Sequence, residues 1–404
     1  MERRRASVPT PMSSTPQVGI AIFLGSAALV FAAQGALPGC GSPLWSTEVL
    51  PELSLARGHL TGLREARHVG VVFSNDGRLI VFGVDDRVAQ TPSRTVAERV
   101  RPFTLRLLLV DPASGKVTLR KEERTRGREA AVFPTISGLL VKNGPPLELY
   151  SPDLAQQLDL PFQFARNTRI RVSVSPTGKT IMFNDVVEDP ARKSHSHFDV
   201  LDAGTLEVRY SWDESPALYH HYSISDRGIA AMDSNSDLIV VSEFGRNRWT
   251  TVGKPFGICF SGNMPTLYSD QELAYGCDRL VATSTGGQVL MTDVFPSGET
   301  SSGKTAVAQG GRYIAVSVHT LEFIRHFLAE DSLRVAAIRI RVYDMALKKE
   351  LLTVSVNPLP REYYDFALSP DGSKLAVLND RKVSVCRVPI QSTGRPETAR
   401  RQTP

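Results

Sequence analysis

One phrase recurs along this chain and limits what it can become: a short apolar run, a polar turn closed by glycine, and a second apolar run. It is clearest at Ala367-Leu368-Ser369-Pro370-Asp371-Gly372-Ser373-Lys374-Leu375-Ala376-Val377. Val69-Gly70-Val71-Val72-Phe73, Ser74-Asn75-Asp76-Gly77 and Arg78-Leu79-Ile80-Val81-Phe82 repeat it, as do residues 172–175, Pro176-Thr177-Gly178 and 179–183. Ser223-Ile224-Ser225-Asp226-Arg227-Gly228 is a further copy, and residues 133–140 and 308–316 are looser ones. Each reads as strand, tight turn, strand, with glycine supplying a positive φ. A second phrase follows the first. Residues 107–110 lead into Asp111-Pro112-Ala113-Ser114-Gly115-Lys116-Val117, 198–201 into Asp202-Ala203-Gly204-Thr205-Leu206-Glu207-Val208, and Val342-Tyr343-Asp344 into 345–351. One unit therefore holds four strands.

The first-phrase turns fall near residues 77, 138, 178, 228, 270, 311 and 372. A spacing of roughly 40 to 60 residues with four strands per unit marks a β-propeller. A single four-stranded sheet buries neither face, whereas neighbours in a ring cover both. Seven turns predict an all-β, seven-bladed propeller of four-stranded antiparallel blades. The Ser-Pro-Asp-Gly phrase resembles the WD40-like and YVTN-like propellers of bacterial exported proteins, although the Gly-His and Trp-Asp marks of true WD40 repeats are missing. The resemblance implies an exported scaffold that binds a protein or peptide. A sandwich or barrel is the structural rival.

The domain reading is a leader over residues 1–40, a propeller over 41–390 and a disordered tail over 391–404. Residues 44–56 precede the first unit and residues 383–388 end the last, so one is expected to complete the other's blade as its outer strand. Residues 321–334 (LEFIRHFLAEDSLR) have apolar positions near helical spacing and predict a helical insertion.

Residues 18–33 are sixteen uncharged positions behind Arg3, Arg4 and Arg5, the pattern of a secretory signal. At about 1.5 Å per residue they fall short of a ~30 Å hydrocarbon core. Leu37-Pro38-Gly39-Cys40 resembles a lipobox, with Cys40 the acylated residue, and an uncleaved anchor is the third alternative. All three export the body to the periplasm or beyond the cell, membrane-tethered in two of them. Two of the five net positive charges sit in this leader, which leaves too little on the body for a nucleic-acid footprint. Aromatic residues do not interleave with basic ones, so no nucleic-acid partner is expected. Of the four cysteines, Cys259 and Cys277 lie on neighbouring predicted strands and are either a disulfide or two buried thiols.

The A–B turns of a propeller lie on one face, and its B–C connections share the other with the crossings between blades. Three B–C connections read as long: residues 83–104, 184–197 and 318–336. They make that face a loop-rich rim and the expected binding surface. It carries Asp189, His195, His197, Tyr219, His220, His221 and His319. The four imidazoles of His195, His197, His220 and His221 beside Asp189 are a candidate transition-metal set, with His319 too far along the ring to join them; no fixed ligand spacing accompanies them, and surface histidines are the plainer reading. The metal and cofactor content is open. The sequence carries no GxSxG, GxxxxGK[ST] or GxGxxG motif. The leading reading is a non-catalytic binding scaffold; the alternative is a propeller enzyme or a metal or redox-cofactor protein with its site at the channel mouth.

Overall fold

Every copy of the strand–turn–strand phrase forms the first hairpin of a separate sheet. The computed structural model describes residues 43–49, 53, 69–85, 103–125, 130–143, 147–158, 160, 169–188, 194–214, 219–233, 238–246, 248–254, 265–324, 332–360, 364–380 and 382–390. Blade 1 runs β2 (Val69–Phe73), β3 (Leu79–Asp85), β4 (Phe103–Val110) and β5 (Val117–Thr125). Blade 2 is β6 (Ala130–Thr135), β7 (Gly138–Asn143), β8 (Leu147–Tyr150) and β9 (Gln157–Leu158). Blade 3 is β10 (Arg169–Val174), β11 (Thr180–Glu188), β12 (Ser194–Asp202) and β13 (Val208–Glu214). Blade 4 is β14 (Tyr219–Ile224), β15 (Gly228–Asp233), β16 (Ile239–Glu243) and β17 (Thr250–Gly253). Blade 5 is β18 (Thr266–Leu267), β19 (Glu272–Gly276), β20 (Arg279–Ser284) and β21 (Val289–Val294). Blade 6 is β22 (Glu299–Val307), β23 (Tyr313–Ile324), β24 (Ser332–Asp344) and β25 (Lys349–Ser355). Blade 7 is β26 (Tyr364–Leu368), β27 (Lys374–Asn379) and β28 (Lys382–Arg387), completed by β1 (Trp45–Glu48).

These are seven four-stranded antiparallel sheets, as the repeat predicts. First strands of neighbouring blades meet around the central channel, as β2 does β26 and β6. The core lies between blades. Val71, Phe73 and Leu79 of blade 1 pack on Ala376, Val383 and Val385 of blade 7, all buried. Each fully buried side chain of this kind stabilises by roughly 1.5–3 kcal/mol.

Closure takes the expected form. Trp45 pairs with Val385 and Glu48 with Lys382, so the N-terminal strand is the outer strand of the last blade. The Trp45 indole N–H donates to the Pro112 carbonyl at 3.0 Å, and the Thr47 hydroxyl to the Gly115 carbonyl at 2.9 Å. Gly115 has φ +73, and a Cβ there would run into the Trp45 ring. The closing strand is thereby fastened to blade 1 as well as blade 7. Gly372 has φ +73, as its turn requires.

Three expectations need correcting. Residues 321–334 form no helix over their described positions, because Leu321 to Ile324 end β23 and Ser332 to Arg334 begin β24. The strands continue because polar and apolar positions alternate: Leu321 lies opposite Val335 and Phe323 opposite Leu333, and Arg334 pairs with Glu322 at 2.7 Å. The rim segment 184–197 is mostly strand, since β11 reaches Glu188 and β12 starts at Ser194, and 318–336 shortens in the same way. Gly228 takes no positive φ, because the Ser225–Gly228 turn is shorter, closed by the Ser225 N–H on the Gly228 carbonyl at 2.9 Å. Residues 86–102, 189–193 and 325–331, the leader, Cys40, Cys259 and the tail lie outside the described residues.

Candidate functional site

The rim residues are distributed over the ring rather than gathered. His197 stands on β12, its Nδ1 2.7 Å from Asp213 Oδ1 and its Nε2 3.3 Å from Asp199 Oδ1. Burial alone would lower its pKa, but the Asp213 hydrogen bond and the two carboxylate charges outweigh it and the net shift is upward. His319 stands on β23 in blade 6, its Nε2 2.8 Å from the Tyr364 hydroxyl, and burial pushes its pKa down to about 4. It is therefore neutral at physiological pH. His221 has φ +56 at an irregularity in β14. Of His195, Tyr219 and His220 the structure describes the backbone, on β12 and β14, and Asp189 lies outside it. Among the described residues no group of three or more His, Cys, Asp or Glu could hold a metal ion.

Cys277 and Cys386 are both disulfide-bonded. Cys277 occupies the two-residue turn between β19 and β20 rather than a strand, and its carbonyl accepts from the Ser301 N–H at 2.7 Å.

Two cavities lined by described residues bear on function. One, about 320 Å³, lies at the turn end of the channel among Asn75, Pro134, Pro176, Gln309 and Pro370. Deeper in it Lys304 pairs with Asp365, whose Oδ2 accepts the Val71 N–H at 2.8 Å. This opposition of charge leaves the channel wall neutral. The Gln309 side chain reaches across to the Thr177 carbonyl at 3.3 Å, tying blade 6 to blade 3.

The second cavity, about 300 Å³, lies on the flank between blades 3 and 4. Its origin is a difference in strand length. β13 has seven residues, whereas β17, the outer strand of the next blade, has four. Tyr210, Trp212 and Glu214 of β13 face blade 4, where no matching strand runs beside them among the described residues; a bulge opposite Val200 and Leu201 sets Val208 on the other face. Val208 is 54% and Tyr210 41% exposed. Trp212 is held by stacking on Phe198 at 4.8 Å, with Phe244 at 6.5 Å on the blade 4 side. Tyr210 stacks on Phe244 at 5.8 Å and lies over Gly245, where a Cβ would come within 3.0 Å of its ring.

Glu214 ends this row. Its Oε2 is out of reach of solvent and has no hydrogen-bond partner among the described residues. Burial pushes its pKa up to about 7. Arg246 lines the same cavity but pairs with Glu243 at 3.0 Å. Sequence reasoning missed this site. The available signal was the alternation of Tyr210 and Trp212 in a fourth strand, a position where apolar side chains have no further strand of their own sheet to pack beside.

No family model matches the chain, and no curated protein matches it. Solved structures do. The WD40 domain of Pan2 from Neurospora crassa is 10% identical, covers 87% of this chain and 96% of its own, and has a TM-score of 0.52. A chain of the mitotic checkpoint complex is 12% identical over 92% of this chain and 99% of its own, with a TM-score of 0.48. An oligogalacturonate lyase solved with manganese is 10% identical over 81% of this chain and 99% of its own, with a TM-score of 0.45. The class is therefore a seven-bladed β-propeller of the WD40 shape. At these identities the likeness concerns the fold alone.

Proposed function

We propose that the protein is an exported, non-catalytic propeller of the YVTN-like kind that binds proteins or peptides as a scaffold. The observation that carries the binding reading is Tyr210, 41% exposed beside the partly covered Trp212 on an outer strand, since aromatic side chains left open on such a strand mark an interaction surface. The rim face, where residues 86–102, 189–193 and 325–331 join strands, serves as a second contact surface. Export draws on the basic leader, the uncharged stretch 18–33 and the disulfide-bonded Cys277 and Cys386, since disulfides persist in oxidising compartments. A tether through the leader or through Cys40 belongs to the same reading.

A displayed random-peptide library selected on the purified chain tests the scaffold. Enriched sequences that lose binding on Tyr210→Ser support it, and a library that yields no binder overturns it. A fusion reporter active only outside the cytoplasm tests export. The alternative, a ligand or cofactor at the channel mouth, draws on the 320 Å³ cavity beside Lys304 and Asp365. Bound metal or cofactor absorbance in the purified protein would favour it.

A further inference from the structure

We propose that the groove between blades 3 and 4 takes an extended segment of a partner protein and seats one lysine or arginine side chain of it against Glu214 and the rings of Trp212 and Trp249. This names the partner chemistry of the scaffold reading and rests on it.

Three observations point to a basic side chain. The Glu214 carboxylate lines the cavity with no basic partner among the described residues, and a cation with N–H donors meets its charge. Trp212, Phe244 and Trp249 line the same 300 Å³ cavity. A lysine or arginine stem lies along such rings while its cation meets their faces, so one side chain answers both the apolar wall and the charge. The charge in the cavity is also one-sided. Glu243 is matched by Arg246, and the Asp213 carboxylate turns to His197 on the other face of β13, which leaves the charge of Glu214 unbalanced in the cavity. An anionic ligand would be repelled, and a neutral apolar one would leave Glu214 unanswered.

The extended form of the segment follows from the sheet. β13 is the last strand in the order β10-β11-β12-β13 and pairs only with β12. Its outer edge presents backbone donors and acceptors to a strand-like partner, and Tyr210, Trp212 and Glu214 stand at every second position beside it.

Two heptapeptides test this on the purified full chain. Both alternate valine and threonine, one with a central lysine and the other with norleucine there. Binding is read from the indole N–H resonances of the three tryptophans, because Trp45 in the closing strand serves as an internal control. The lysine peptide is expected to shift the Trp212 and Trp249 signals and leave Trp45 unmoved. It should bind about tenfold more tightly than the norleucine peptide. Glu214→Gln should abolish that preference, and Tyr210→Ser should weaken both peptides, with the Trp45 signal confirming that each variant is folded. Equal binding of the two peptides, a preference that survives Glu214→Gln, or no shift at Trp212 and Trp249 overturns the inference. The scaffold reading stands or falls separately, on the library selection.

Discussion

Blades 1 and 3 both end in an outer strand longer than that of the blade beside it, and they fill the overhang in opposite ways. β5 has nine residues and the outer strand of blade 2 only two; β13 has seven against four. On β5 the positions facing blade 2 are Lys121 and Glu123, ion-paired at 3.6 Å, with the Lys121 ammonium 4.3 Å from the centre of the Tyr150 ring. On its other face Glu122 pairs with Arg106 at 2.7 Å. Charge of this kind guards an edge against further pairing. On β13 the corresponding places hold Tyr210, Trp212 and a half-buried carboxylate without a partner among the described residues. The ring is indifferent to the choice, because both blades close. On the proposed scaffold reading, the difference reflects a partner met at one edge and not at the other.

The comparison can be broken at several points. Trp212→Ala should destabilise the fold by about 2–3 kcal/mol in chemical denaturation, because the Phe198 stack and the blade 3–4 seam go with it. Lys121→Ala on the guarded edge should cost less than about 1 kcal/mol. A larger loss at Lys121 than at Trp212 would reverse the assignment of roles.

Glu214 gives the next effect. Its folded pKa of about 7 lies above the unfolded value, so the native state holds the proton more tightly. The resulting penalty is absent below about pH 4.5, grows as pH rises, and is complete above pH 7. Because the carboxyl is only half-buried and partly screened, the penalty should not exceed about 1 kcal/mol. Stability of the native protein measured from pH 5 to 8 should therefore fall relative to Glu214→Gln. Parallel curves for the two proteins would remove the strain assigned to this carboxylate.

Converting the open edge into a guarded one should matter least for stability. Tyr210→Lys should change the melting free energy by no more than about 0.5 kcal/mol while removing peptide binding. His197 supplies a change of charge state on the opposite face of the same strands. Its raised pKa means that its contribution is fully present below about pH 6.5 and is lost as pH rises through the folded value. Its ring resonances should titrate above the unfolded midpoint, and Asp213→Asn should bring that midpoint down.

The ring itself was legible because its turns are local. Ser369-Pro370-Asp371-Gly372 and Ser74-Asn75-Asp76-Gly77 specify hairpins from four residues, and repetition does the rest. The turn of blade 5, Ser269-Asp270-Gln271-Glu272, has no glycine and was located only by spacing. At residues 321–334 local pattern misled, since apolar spacing fits a helix until Val335 and Leu333 are seen opposite Leu321 and Phe323. In the second phrase, Leu206 and Lys348 take φ +61 and +55 without glycine, so residue identity alone did not mark those turns. The flank groove was illegible for a different reason. Nothing in Tyr210 or Trp212 says that they are left part-uncovered; that depends on β17 stopping after four residues, some forty positions later.

Ser46 and Ser384 share a hydrogen bond across 338 positions of sequence, so the clasp of the ring joins nearly the first described strand to the last. A growing chain can stack six blades as they emerge, but the seventh remains two strands short of its sheet until β28 exists, because β1 pairs only with β28 there. Closing so large a loop costs little more entropy than closing a modest one, because the cost rises only with the logarithm of length. The clasp thus sets an order of events rather than a heavy thermodynamic toll. A chain cut short anywhere before Lys382 leaves Trp45 with no strand to join and two blade edges open, which makes incomplete copies easy for proteases to tell from finished ones.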